Sequence, residues 1–428
     1  VTNSPYRNGE NPEVYKKLSD QKISLLFDSA RKWSKEYQAL IAYTVKGLYL
    51  IFLEQTRDNK ANSISPLIIH AIEKFKKYNA TIVAICTDND NTNKKTFDPD
   101  KGIIQKLSND YFIRQPCATH TGELAINDMF GKGCEYEYIT NNIQILLSHV
   151  QSTNSKKNGE PYLKTIGWDS LYKCVKFITE NKKSFFENSD NIEINQCFDE
   201  IEKKITWDIL KKILETMWHF IQFIERDHTN LADLMKGYLI TYHELKRINT
   251  EESLFLAEKF HQRFSDTCPI DIPSFCLLMT KDGLIYLKNN SIELEEKIKI
   301  LDLAHSGLKR YLFLRKINEK VTNTVLADFD RYLEECPINF FSDHMSAFEN
   351  WSKLKTDLAN FACEILSIPC TEAAVERLFS FLSSITSSSM YNSSLELIES
   401  RLMIHFDSLF RKIGPIDIKN ITLETFTK

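Results

Sequence analysis

Residues 22–53, KISLLFDSARKWSKEYQALIAYTVKGLYLIFL, decide the fold class. Three short runs rich in β-formers, Ile23–Asp28, Ala39–Val45 and Leu48–Leu53, are separated by polar turns, and the second break is only Lys46-Gly47. Runs this close together read as an antiparallel meander. Working outward, Pro66–Tyr78 places Leu67, Ile68, Ala71, Ile72 and Phe75 at helical spacing, one apolar face for a sheet. Thr81–Cys86 (TIVAIC) is an apolar run of strand length without alternation, the pattern of a strand covered on both faces. Ile103–Asn109 reads as a second helix and Tyr111–Arg114 as a further short strand, so the predicted order is βββαβαβ.

Beyond residue 136 the pattern is helical, as in Glu200–Arg226 (EIEKKITWDILKKILETMWHFIQFIER) and Ile292–Leu312, with a loop expected at Lys156–Pro161 (KKNGEP). The 428 residues suffice for two or three domains. Lys and Arg number 54 against 58 Asp and Glu, a net charge of −4, which excludes a bulk-basic coating protein but leaves a local basic groove open. Only 12 glycines occur, which argues against a Gly-rich barrel, and neither a Walker loop nor GxGxxG is present. Val1–Lys17 is polar rather than signal-like, and Ala39–Leu53 is broken by Lys46 and too short to span a bilayer. A soluble intracellular protein with no membrane partner is expected. The ten cysteines form no CxxC pair and read as reduced, buried thiols.

Three acids stand out. Asp28 closes the first run (ISLLFD), and Asp88 lies just past the fourth (TIVAICTD). Asp is common at strand ends, so either alone is ordinary. With the first and fourth strands as neighbours, however, the two would face each other, and two close carboxylates repel unless a divalent cation bridges them. Glu376 lies in TEAAVERLFS, where Thr371 can cap a helix whose buried face is Ala373, Ala374, Leu378 and Phe379. A Glu beside small alanines can approach a sheet closely; the ordinary alternative is a solvated helix Glu paired with a nearby Arg or Lys.

Leu366–Ser380 (LSIPCTEAAVERLFS) closely resembles the C-terminal signature of hAT-family DNA transposases. Other pieces fall in the same order as in that family. Asp28 with Trp33 resembles its first-Asp segment, and Thr87-Asp88-Asn89 resembles the start of its Thr-Asp-Asn-x-x-Asn, with Asn93 one position late. Cys117-x-x-His120 resembles its Cys-x-x-His. Trp168-Asp169-Ser170 with Tyr172 resembles its Trp-Asn-Ser-x-Tyr, and Phe329–Leu333 with Trp351 resembles the run before the signature.

The resemblance implies an α/β plus all-α chain: a ribonuclease H-like mixed sheet interrupted by a large helical insertion. The expected domains are an arm at 1–20, the first part of the core at 21–135, the insertion at 136–327, and the end of the core with the dimerisation region at 328–428. It implies that Asp28, Asp88 and Glu376 bind Mg²⁺ or Mn²⁺ for cleavage and strand transfer of double-stranded DNA, with a hairpin on the flanking end. It further implies that His120, Trp168 and Arg377 contact DNA, Trp168 by stacking on a flipped base. Homo-oligomerisation and a nuclear location follow from the same resemblance. An apolar stripe at Leu395, Ile398, Leu402 and Phe406 suits the dimer interface or the chain's own core.

Several positions depart from the family pattern. No Cys/His cluster replaces the family's N-terminal BED-type zinc finger. The Arg usual before Trp168 is Gly167, Gly122-Glu123 stands for Leu-Asn, and Ser387–Tyr391 replaces a basic stretch. These favour a rival reading: a transposase-derived, catalytically inactive DNA-binding or protein-interaction dimer.

Overall fold

The computed structural model describes residues 12–32, 34–98, 102–104, 111–153, 168–182, 192–335 and 337–385. Trp33, most of the helix expected at Ile103–Asn109, the Lys156–Pro161 loop, Ser387–Tyr391 and the stripe Leu395–Phe406 lie outside the described residues.

The chain forms two compact units: residues 1–118, 225–236 and 269–428, and residues 119–224 and 237–268. The first contains a five-stranded mixed sheet of β1 (Lys22–Lys32), β2 (Lys35–Thr44), β3 (Gly47–Thr56), β4 (Thr81–Thr87) and β5 (Ile113–Pro116) in the order β3-β2-β1-β4-β5. The first three strands pair antiparallel, whereas β4 runs parallel to both β1 and β5. Before the sheet lies α1 (Pro12–Lys17); α2 (Ala61–Lys77) joins β3 to β4, and α3 (Asn91–Phe97) follows β4.

The strands expected from hydrophobic runs are all present, but their ends shift. β1 extends four residues past Asp28 because Ser29–Lys32 pair with Lys35–Gln38 in a hairpin, so the polar residues are held by backbone hydrogen bonds rather than by burial. Helix α2 starts one turn before Pro66. Proline removes one N–H from that turn, and the buried face of Ile64, Ile68, Ala71, Ile72 and Phe75 offsets the loss.

Both sheet faces are covered. On one, α2 packs Ile64, Ile68 and Phe75 with Leu25, Phe27, Leu40 and Ile85. On the other, Leu26, Ala39, Ile41 and Cys86 pack with Ala374, Val375, Leu378, Phe379 and Leu382.

In the second unit are most of α4 (Ala118–Phe130), then α5 (Glu137–Thr153), α6 (Trp168–Glu180), α7 (Ile192–Glu202) and α8 (Trp207–Ile224). It also holds the later part of α9 (Leu231–Ile248) and α10 (Glu251–Thr267), and no strand occurs in it among the described residues. Its core includes Phe220, edge-on to Phe260 at 5.1 Å between ring centroids. Gly122 lies against that ring: a Cβ there would come 3.1 Å from Phe220. The Gly that departs from the resemblance is therefore fitted to this chain's own packing. Arg263 closes a two-point ion pair with Asp128.

Back in the first unit come α11 (Asp271–Leu278), α12 (Lys281–Lys288), α13 (Leu294–Leu314), α14 (Glu319–Glu335), α15 (Ala347–Trp351), α16 (Asp357–Leu366) and α17 (Ala373–Ile385). Helix α13 presses on α11 so closely that a Cβ at Gly307 would sit 2.1 Å from the Asp271 carbonyl oxygen. Two carbonyls at the end of α11 accept from side chains: Tyr332 Oη bonds Leu278 O at 2.9 Å and Trp351 Nε1 bonds Met279 O at 2.7 Å. Nine cysteines are described; all are free thiols and all but Cys134 are buried. Among the described residues no helix is long and apolar enough to cross a membrane.

A buried charge network ties α16 to the sheet. The Glu364 carboxylate accepts from Tyr311 Oη at 2.6 Å and pairs with Lys22 at 3.2 Å and Arg315 at 3.6 Å. Removing one member of such a network strands the others' charge. Glu364→Ala is expected to lower unfolding free energy by about 3 kcal/mol in urea titrations, and a loss below about 1 kcal/mol would show that the network is readily replaced by water.

Candidate active site

Parallel pairing of β1 with β4 sets the geometry. The last paired residues are Leu26 and Cys86, and both belong to the core under α17. Two residues further on come Asp28, still within β1 and so on that same face by the period of two, and Asp88, one residue past the end of β4. Although Asp28 lies inside β1 rather than at its end, its parallel neighbour stops at Thr87, so the Asp28 carboxylate sits at the mouth left by β4.

Local bonds orient these acids. Asp28 Oδ1 accepts the Ser29 N–H at 2.6 Å. Asp88 begins a tight polar loop in which Asp90 caps α3, its carboxylate accepting the Asn93 N–H at 2.5 Å. The buried Asn93 side chain donates through Nδ2 to Asp88 Oδ1, so the late Asn of the motif still reaches the acid. Arg114 on β5 donates to Thr87 Oγ1 at 3.2 Å, to the Asp88 carbonyl at 2.7 Å and to Asn89 Oδ1 at 3.1 Å. This guanidinium holds the backbone of the loop and leaves the Asp88 carboxylate to Asn93 and to the Asp90 N–H at 3.4 Å.

The signature segment is stitched to the same strand ends. Cys117, just past β5, donates its N–H to Thr87 O at 2.8 Å, and its thiol lies 3.4 Å from Thr371 Oγ1. Ala118 N donates to Cys370 O at 2.9 Å. Thr371 Oγ1 also accepts the Ala373 N–H at 3.2 Å as α17 begins. These contacts carry Glu372, fully buried, and Glu376, half-buried, to the mouth.

The electrostatics record the convergence. Asp28 is raised well above the ordinary carboxylate range. Desolvation is the largest cause, followed by the charge of Glu372; the Ser29 N–H works against them, and Asp88 and Glu376 add further repulsion. By its surface area Asp28 is only half-buried, but chain crowds the carboxyl itself. Asp90 is raised too, first by burial, with its bond from the Asn93 N–H opposing and the Asp88 charge adding.

Sequence reading passed over Glu372. The available signal was its position four residues before Glu376, which places both carboxylates on one side of the helix start. Among the described residues, the oxygens of Asp28, Asp88 and Glu376 do not close into one set within 4.8 Å.

Of the expected DNA contacts, His120 lies half-buried in the first turn of α4, in the second unit. Trp168 opens α6, and its side chain lies outside the described residues; one turn on, Tyr172 Oη donates to Glu215 at 3.0 Å and stacks on Trp218. Arg377 is exposed but engaged, donating to the Glu225 carbonyl at 2.9 Å and pairing with Asp227.

Residues 328–403 match the hAT family C-terminal dimerisation region, which spans α16, α17 and the signature segment between them. That match relates the chain to hAT transposases over this part of its length. A comparison with curated proteins finds no match.

A raised carboxyl has a defined signature in stability. Well below about pH 4 both folded and unfolded chains keep the Asp28 proton and folding bears no penalty. As pH rises, the unfolded chain releases it first, and the folded state loses stability until the folded pKa is passed. In metal-free buffer Asp28→Asn is therefore expected to match wild type near pH 3 and to be more stable at pH 7, read by melting temperature against pH. A variant less stable at every pH would show that Asp28 is not repelled by its neighbours.

Proposed function

We propose that this protein is an hAT-like DNA transposase core with a ribonuclease H-like sheet, carrying out divalent-metal-dependent DNA cleavage and strand transfer. The observation that carries the reading is the set of acidic side chains that crowd Asp28 of β1: Asp88 just past β4, Glu372 just before α17 and Glu376 within it. The strand order β3-β2-β1-β4-β5 and the match over 328–403 support it independently.

The donor set fits Mg²⁺ or Mn²⁺. The three acids proposed as ligands offer hard carboxylate oxygens, and their mutual repulsion is what a divalent cation relieves. Asp28, Asp88 and Glu376 would hold the ions, with Glu372 adding charge behind them. Bound there, the metal would acidify a water and offset negative charge on the scissile phosphate.

The chain's own contribution is placement. Asn93 fixes the direction of the Asp88 carboxylate, Arg114 fixes its backbone, and the Ser29 N–H fixes Asp28. In the reaction a water oxygen bonds to phosphorus as a P–O3′ bond breaks. The freed 3′-hydroxyl then attacks the opposite strand to close a hairpin on the flanking end, and the transposon 3′-hydroxyl released attacks target DNA. His120 and Trp168 are proposed to contact DNA, Trp168 against an extruded base. The dimerisation match supports a homo-oligomer, and a nuclear location is proposed together with the DNA substrate.

Nicking of plasmid DNA in Mn²⁺ tests the reading. Wild type is expected to nick, and Asp88→Asn to be slower by at least about a hundredfold, the scale of removing a group that stabilises developing charge. Equal activity of the two would contradict the role proposed for Asp88, and none in either would leave the inactive transposase-derived dimer as the reading.

A further inference from the structure

Residues 225–236 leave the helical second unit, join the sheet-bearing unit and return, and they touch the signature segment at both ends. At one end Asn230 makes an antiparallel bridge with Pro369. At the other, Arg377 spans to the Glu225 carbonyl and the Asp227 carboxylate. The strap is itself hydrogen-bonded. Asn230 Oδ1 accepts from Ala232 N at 2.8 Å and Asp233 N at 3.3 Å, while Asp233 Oδ2 accepts the Asn230 N–H at 3.0 Å, a reciprocal cap on α9. It is anchored behind as well: the buried Lys236 pairs with Asp282 at 2.7 Å, and Met235 Sδ accepts from Ser274 Oγ at 3.5 Å.

We infer that this strap is a positioning device for the Glu376 helix, and that Arg377 and Asp227 are its working pair. Successive helix residues point about 100° apart, so fixing Arg377 fixes the direction of its neighbour Glu376. The remaining freedom of the first two turns is removed by Ala374, Val375, Leu378 and Phe379, which lie in the core against the sheet. A guanidinium satisfied by a carboxylate and a carbonyl is a positioning group, in contrast to the DNA contact that the sequence resemblance implies for Arg377. The inference rests on the proposed metal site only for its consequence, the placement of Glu376; the strap contacts stand apart from it.

The experiment uses the full chain with Arg377→Ala, Asp227→Ala, the double alanine variant and the reversed pair Asp227→Arg with Arg377→Asp. Amide hydrogen exchange without metal or DNA is the first readout. Each single variant is expected to speed exchange across residues 371–380, about two- to fivefold for a partly exposed pair, with Arg377→Ala, which also loses the Glu225 carbonyl, at least as large as Asp227→Ala and no further gain in the double variant over Arg377→Ala. Peptides of α2 should not change, and the reversed pair should recover part of the protection. A larger effect of Asp227→Ala than of Arg377→Ala, additive effects or no effect would overturn the inference.

The second readout separates placement from plain stability: Mn²⁺ affinity should fall several-fold in both single variants while the urea midpoint moves little. Mn²⁺ affinity equal to wild type in both variants would overturn the consequence drawn for Glu376. Absence of Mn²⁺ binding by wild type would instead contradict the proposed metal site, and exchange would still decide the strap.

Binding of a duplex oligonucleotide gives the opposing signature. A DNA-contacting Arg377 predicts weaker binding and a salt slope lower by about 1 for Arg377→Ala, with tighter binding for Asp227→Ala, which frees the cation. That pattern would contradict the positioning role.

Discussion

The parallel pairing of β1 with β4 is the constraint on which the rest of the site depends. It brings two strands far apart in sequence into one register, Leu26 beside Cys86, and so sets Asp28 next to the end of β4, where Asp88 follows. Hydrophobic burial beneath α2 and α17 holds that register, since a slip of one residue would send Leu26 and Cys86 to the other face. Placing carboxylates together costs stability at neutral pH, and the surrounding core supplies it. Such a local conflict between fold and electrostatics is a common mark of a functional site.

The signature segment works through the same strand ends. Backbone bonds from Cys117 to Thr87 and from Ala118 to Cys370 join the ends of β4 and β5 to the start of α17. The acids therefore come from three stretches of chain, each fixed by hydrogen bonds made by residues next to the acid. Residues 225–236 add a fourth stretch, bearing on the segment through Asn230 and Arg377.

Much of the sheet was legible in the sequence. Apolar runs at 23–28, 39–45, 48–53 and 81–86 marked strands because burial on one or both faces imposes a pattern on composition. The ends were less legible. Ser29–Lys32 carry no hydrophobic signal, and only their pairing with the facing hairpin arm extends β1 past Asp28. The acids at 28, 88 and 376 were visible as charges at the edges of apolar segments. Glu372 was not, because a Glu at a helix start is ordinary until tertiary structure buries it. The engagement of Arg377 by Asp227 was equally hidden, since 150 residues separate them and no local pattern links the two. Trp351 shows the reverse case: its place before the signature follows the resemblance, and the structure gives it a structural task in bonding the Met279 carbonyl.

Under the proposed function these carboxylates form one electrostatic unit able to hold a divalent cation. Calorimetric titration of Mn²⁺ into wild type and Asp28→Asn tests it most directly, because the amide keeps the shape of the side chain and removes only the charge. Saturable binding by wild type, lost in Asp28→Asn, is the expected result. Binding of equal affinity by both proteins would contradict it, placing the ion somewhere other than at Asp28, Asp88 and Glu376.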